Sequence, residues 1–141
     1  TTQAPPLQAA QPDKIAPPGD DHVDLNAWQA IRARQRPGQP DLLHKALSLY
    51  LPHADAQLIQ LQQAMAGADI QAVKTIAHMM KSSTAQLGAP RLADLYAQIE
   101  ATCRAGTVDN LPDLCGHLIP EHRAVCTLMR QELNRAGRSA A

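Results

Sequence analysis

The sequence has no phenylalanine and only one tryptophan, Trp28, and two tyrosines, Tyr50 and Tyr96. Few β-branched residues accompany them, while Ala, Leu and Gln abound, a composition that disfavours sheets and predicts an all-α chain. An excess of either charge is also lacking: thirteen basic and thirteen acidic side chains cancel, and neither sign forms a long block. That removes the basis for wholesale binding to nucleic acid or to an anionic membrane surface, so any partner must be recognised by a local patch. The three cysteines, Cys103, Cys115 and Cys126, are odd in number and form no CxxC, which excludes a disulfide framework and a zinc knuckle. They read as small buried or boundary residues in a reducing compartment. No apolar run approaches the roughly 20 residues needed to cross a bilayer, and no signal-peptide pattern opens the chain. A soluble, cytoplasmic domain without direct membrane contact is expected, although a longer parent chain could be anchored elsewhere in an inner membrane. There is no glycine-rich phosphate loop and no acidic cluster of the kind that holds Mg²⁺, so the chain has no means of binding ATP and is not a kinase by itself.

At 141 residues the chain has room for one hydrophobic core. Residues 1–22 hold five of the eleven prolines and almost no large apolar side chains, and read as a flexible linker. From Val23 the pattern changes. Asp24 is a candidate N-cap for a short helix through Leu25, Trp28 and Ile31, which "RPGQP" stops. Asp41 opens a longer amphipathic stretch to Gly67, with Pro52 expected to kink or interrupt it. Asp69 caps a third segment whose apolar residues Ile70, Val73, Ala77, Met80, Thr84 and Leu87 step by three and four, the spacing of one helix face. Gly88 stands where a left-handed residue ends such a helix, and Pro90 starts the next, which runs to Gly106. A last segment from about Asn110 to Ala136 is expected to break at Pro120, with residues 137–141 as a disordered tail. Four long amphipathic segments joined by short connections predict an antiparallel up-down four-helix bundle over residues 23–136, with the short first helix capping one end.

The third segment carries "TIAHMMKSSTAQLGAPRL", residues 75–92. At about 100° per residue, His78 lies about 140° from the centre of the apolar stripe and faces solvent. Ser82 and Ala85, one and two turns on, are small, and Lys81 is on the same side. An exposed helical histidine beside a lysine is by itself more often a solvated pair than a site. A nucleophilic histidine that carries a phosphoryl group nevertheless needs these three things: access, a nearby cation and something to orient the ring.

The stretch "AHMMKSSTAQLGAPRLADLYAQIE" resembles the signature of histidine-containing phosphotransfer (HPt) domains through Ala77, His78, Lys81, Ser83, Leu87, Gly88, Ala89, Leu92, Ile99 and Glu100. Similarity to the family extends over roughly residues 23–135. The resemblance implies that His78 is phosphorylated on Nε2, that Lys81 steadies the phosphoryl oxygens, and that Glu100, at a position holding Gln or Glu in the family, accepts a hydrogen bond from the other ring nitrogen. Arg104 falls where the family often places a basic residue, and Ser82, Ser83, Ala85 and Gly88 support the site. Two departures are Ser82 in place of the usual Gly and Met80 in place of the usual Leu; both keep the local size. The implied role is that of a phosphorelay intermediate, accepting a phosphoryl group from a receiver-domain aspartate and passing it to a second receiver.

The resemblance further implies that Mg²⁺ sits on the receiver and that this domain binds no cofactor or metal itself. The proline-rich N-terminal segment points to the C-terminal end of a hybrid sensor histidine kinase, where a tether raises the receiver's effective concentration. As an isolated domain the chain is expected to be a monomer. The rival reading is a helical module that docks receivers without phosphotransfer. His117 and His122 are five apart, which does not align two metal ligands on one helix face, and His44 and His53 read as surface or boundary residues. A metal-binding bundle would need inward Glu-x-x-His pairs, and none occurs.

Overall fold

Three of the expected helix starts are set by an aspartate whose carboxylate accepts a backbone N–H of the first turn, the arrangement that meets an otherwise unpaired donor. Asp24 accepts from Asn26, Asp41 from His44 and Asp69 from Ala72. In this computed structural model, which describes residues 22–38 and 41–140, the helices that follow are α1 (Leu25–Ala33), α2 (Leu42–Ala66), α3 (Ile70–Gln86), α4 (Pro90–Ala105) and α5 (Leu111–Ala140). A single 3₁₀ turn, Val108–Asn110, precedes α5, and no strand is present among the described residues. The expected linker lies outside the described residues except for His22, whose Nδ1 is 2.7 Å from Oε2 of the buried Glu121 on α5.

Short connections fold α2 to α5 into an antiparallel bundle in which α3 packs on α2 and α4, and α5 closes the ring against α4 and α2. The stripes that face inward bury Leu47 and Leu61 of α2, Val73 and Met80 of α3, Leu92, Tyr96 and Ile99 of α4, and Leu118, Val125 and Met129 of α5. These are the inner positions of a bundle of the expected type. One polar link crosses this core: the Tyr50 and Thr84 hydroxyls are 2.8 Å apart, and burial pushes the Tyr50 phenol far above its ordinary range.

Two local expectations are corrected. Pro52 and Pro120 do not interrupt their helices; α2 and α5 run through them. Each proline removes one N–H from the ladder, but both prolines and the residues four earlier, Ser48 and Gly116, are exposed, so the freed carbonyls can turn to water. Buried residues on both sides, Leu47, Tyr50 and Leu51 before Pro52 and Ala54, Leu58 and Leu61 after it, hold one apolar face continuous. The stretch ends at Gly67 as expected, and the residue after it, Ala68, is left-handed (φ 57°). Finally, α5 continues to Ala140, into the segment expected to be a disordered tail.

The α3–α4 turn is where α1 docks. Gly88 has φ +74°, its carbonyl accepts the Asp24 N–H at 2.5 Å, and the Trp28 indole donates to the Leu87 carbonyl at 2.8 Å. A Cβ at position 88 would lie 2.7 Å from the Ala27 Cβ and 3.1 Å from the Asp24 carbonyl oxygen. Left-handed strain and displacement of α1 therefore act together in Gly88→Ala, which is expected to cost about 2–4 kcal/mol of stability. Chemical denaturation followed through the fluorescence of the only tryptophan, Trp28, measures it directly.

Candidate functional site

The buried stripe of α4 runs Leu92, Tyr96, Ile99, Cys103, and it also contains Glu100, a carboxylate only 2% exposed. Such a group stays ionised only if donors replace its lost water. Three do so. Lys81 Nζ donates to Oε1 at 2.7 Å, Arg104, one turn further along α4, donates to Oε2 at 2.7 Å, and His78 Nδ1 lies 2.7 Å from the same Oε2. The Lys81 hydrogen bond, helped by those of His78 and by the Arg104 charge, holds the Glu100 carboxyl below its ordinary range against the opposing effect of burial.

An ionised carboxylate can only accept, so the proton on a neutral His78 ring resides on Nδ1. Nε2 then carries the free lone pair. The His78 side chain is 61% exposed, whereas that of Glu100 is 3% exposed, so the anchor is inside and the ring projects outward from the seam between α3 and α4. With His78 neutral, one carboxylate and two cations leave the cluster net positive, which favours approach of an anionic group. Lys74 of α3, one turn before His78, adds to this charge. Burial raises the Cys103 thiol of α4, and the Lys74 ammonium pulls it down. Lys74 was not singled out from the sequence; its spacing of four from His78 was the available signal.

The remaining sequence candidates divide. Ser82 and Ala85 are exposed on the His78 side of α3 and leave the ring open. Ser83 does not support the ring: its hydroxyl turns back to the Met79 and Met80 carbonyls at 3.4 and 3.5 Å. Gly88 lies ten residues beyond His78, about 15 Å along the axis at the helical rise, and its task is to seat α1. His117 is exposed and His122 is buried, so the two do not meet.

Because the carboxyl is held low in the folded state, the stability it contributes is full above the ordinary value of 4.5 and is lost as pH falls through its lowered folded-state value. The stability difference between the wild type and Glu100→Gln is therefore expected to shrink below about pH 4.5. Urea unfolding of both proteins from pH 7 to pH 3 tests this; a difference that stays constant over that range would contradict it.

Comparison with known proteins identifies the fold that carries this site. The Hpt domain family model matches residues 45–139, from the first turn of α2 to the end of α5. Among solved structures, the histidine-containing phosphotransfer protein B (HptB) of Pseudomonas aeruginosa PAO1 is similar in fold, with a TM-score of 0.74 over 81% of this chain and 96% of that one, at 24% identity. No curated protein sequence matches the chain. With the family model spanning four bundle helices and an oriented, outward-facing histidine on the second of them, the chain belongs to the Hpt domain family and serves histidine phosphotransfer in two-component phosphorelay signalling.

Proposed function

We propose that His78 is the phosphoryl carrier of this domain. The observation that carries the reading is the 2.7 Å contact between His78 Nδ1 and a buried, ionised Glu100, which leaves Nε2 as an exposed nucleophile of fixed orientation. In the forward step the Nε2 lone pair attacks phosphorus of a receiver's aspartyl phosphate. The P–N bond forms, the P–O bond to the aspartate breaks, and the aspartate leaves as a carboxylate. The Nδ1 proton remains on the ring, so the phosphorylated imidazole carries positive charge beside the Glu100 carboxylate, which stabilises it.

Lys81 and Arg104 are partly exposed cations that meet on Glu100 and can turn outward to the phosphoryl oxygens. The receiver supplies Mg²⁺ and most of the transition-state stabilisation, and this domain supplies a positioned base-free nucleophile. Its docking face is centred on His78 and includes Gln71, Thr75 and Ser82 on α3, with the exposed Met79 at the edge towards α2. A modest apolar patch with a polar rim suits a transient partner. The partners are the receiver domain of a parent hybrid kinase, to which the proline-rich segment tethers this domain, and the receiver of a response regulator.

Incubation with a phosphorylated receiver domain tests the reading. Label that appears on this chain and is acid-labile but base-stable supports a phosphohistidine; a panel of active receivers that bind the chain yet leave it unlabelled would reduce it to a docking module.

A further inference from the structure

A second polar cluster lies on the other side of the bundle, between α2 and α5. His122 and Cys126 stand one turn apart on α5, both at least nine-tenths buried, and Asp55 faces them from α2. His122 Nε2 is 2.9 Å from Asp55 Oδ1 and 3.5 Å from Cys126 Sγ, and the three ligand atoms all fall within 4.8 Å of one another. Bonds of about 2.0–2.2 Å to nitrogen or oxygen and about 2.3 Å to sulfur, at tetrahedral angles, place neighbouring ligand atoms about 3.3–3.6 Å apart. The two His122 separations, 2.9 and 3.5 Å, lie close to that range, and the Asp55 and Cys126 ligand atoms are within 4.8 Å of each other.

His122 Nδ1 is buried and has no hydrogen-bond partner among the described residues, so the polar contacts of this ring all lie on the Asp55–Cys126 side. We propose that Asp55, His122 and Cys126 form a binding site for a divalent late transition metal, best matched to zinc, that ties α2 to α5 and leaves a fourth position open on the Asp55 side.

The donor set of one imidazole, one thiolate and one carboxylate is borderline in softness, which suits Zn²⁺ and disfavours Mg²⁺ or Ca²⁺. Two negative charges on the ligands would balance the dication. Entry is from the rim: the Asp55 side chain is 46% exposed, while those of His122 and Cys126 lie beneath it. Arg130 reaches the other Asp55 oxygen at 3.3 Å and is itself more than half exposed. It can stay there as an outer partner that orients the carboxylate, or withdraw to water. The Tyr50 hydroxyl is engaged with Thr84 and is not a ligand. This site departs from the expectation that the domain binds no metal, and it is independent of the phosphotransfer reading, since His78 lies on the α3–α4 seam.

Titration of the reduced 141-residue chain with Co²⁺ tests the proposal, because thiolate coordination gives a near-ultraviolet charge-transfer band and tetrahedral geometry gives visible bands. The bands are expected in the wild type and in the Cys103→Ala/Cys115→Ala double variant, to vanish in Cys126→Ala, and to be displaced by Zn²⁺. Asp55→Asn, a rim change that keeps the interior intact, is expected to weaken Co²⁺ binding at least about tenfold. Added Zn²⁺ is expected to raise the thermal midpoint of the wild type, reversibly by chelation. A wild type that shows no charge-transfer band, or a band that survives in Cys126→Ala, overturns the proposal. If Cys126→Ala proves unfolded by circular dichroism, undiminished Co²⁺ affinity in Asp55→Asn overturns it equally.

Discussion

His78→Gln is expected to leave no acid-labile, base-stable label on the chain when a phosphorylated receiver domain is the donor, under conditions that label the wild type within minutes. The glutamine amide nitrogen has its lone pair delocalised into the carbonyl and cannot attack phosphorus, so the loss is complete rather than graded. Folding should be nearly untouched. The His78 side chain is 61% exposed, and Glu100 keeps Lys81 and Arg104 as donors, so the change in stability should stay within about 0.5 kcal/mol. Measuring labelling and urea unfolding on the same preparations separates loss of the nucleophile from loss of structure. A variant that is labelled like the wild type would move the carrier role to another of the six histidines.

The helices were legible because their signals are local. Asp24, Asp41 and Asp69 precede apolar residues at steps of three and four, and each caps its helix as expected. The break predicted at Pro120 and the interruption allowed for at Pro52 did not occur for the opposite reason: a missing N–H is a local cost, whereas the burial that carries α2 and α5 through it is spread over several turns of packing against other helices. Gly88 shows a correct conformation joined to the wrong role. Its left-handed φ could be read from its place after Leu87, but the Ala27 and Asp24 atoms that forbid a side chain there come from 60 or more positions away in sequence.

At the site, the motif brought His78, Lys81 and Glu100 onto one list, and the structure makes them contacts across the α3–α4 seam, with Arg104 added through a simple one-turn spacing. The Asp55–His122 pair, 67 residues apart, had no comparable motif to reveal it. Only the one-turn spacing of His122 and Cys126 was visible, and a two-residue spacing does not specify a third ligand on another helix.

Glu100→Leu is expected to slow phosphoryl transfer to His78 by about a hundredfold, the size of effect that follows when a reacting group loses its fixed orientation. With no acceptor for Nδ1–H, the ring can rotate and exchange tautomers, and a fraction of encounters then presents no lone pair to phosphorus. The product is weakened as well, since the charged phosphoimidazole no longer has a carboxylate beside it. Stability should change far less than rate. Removing one partner of a buried ion pair is costly when the other stays buried, but Lys81, Arg104 and His78 all reach solvent and can rehydrate. Glu100→Gln should fall between, at about tenfold, because its carbonyl still accepts from Nδ1 while the neutral amide no longer balances the two cations. Rapid-quench transfer rates for the three proteins, taken with their unfolding midpoints, distinguish the roles: the order wild type, Gln, Leu in rate, with a fall in rate that outruns the fall in stability, identifies Glu100 as a positioning residue. Glu100→Leu transferring at the wild-type rate would reduce the 2.7 Å contact to a structural one. A parallel fall of rate and stability would place the carboxylate's work in holding α3 to α4 instead of in presenting Nε2.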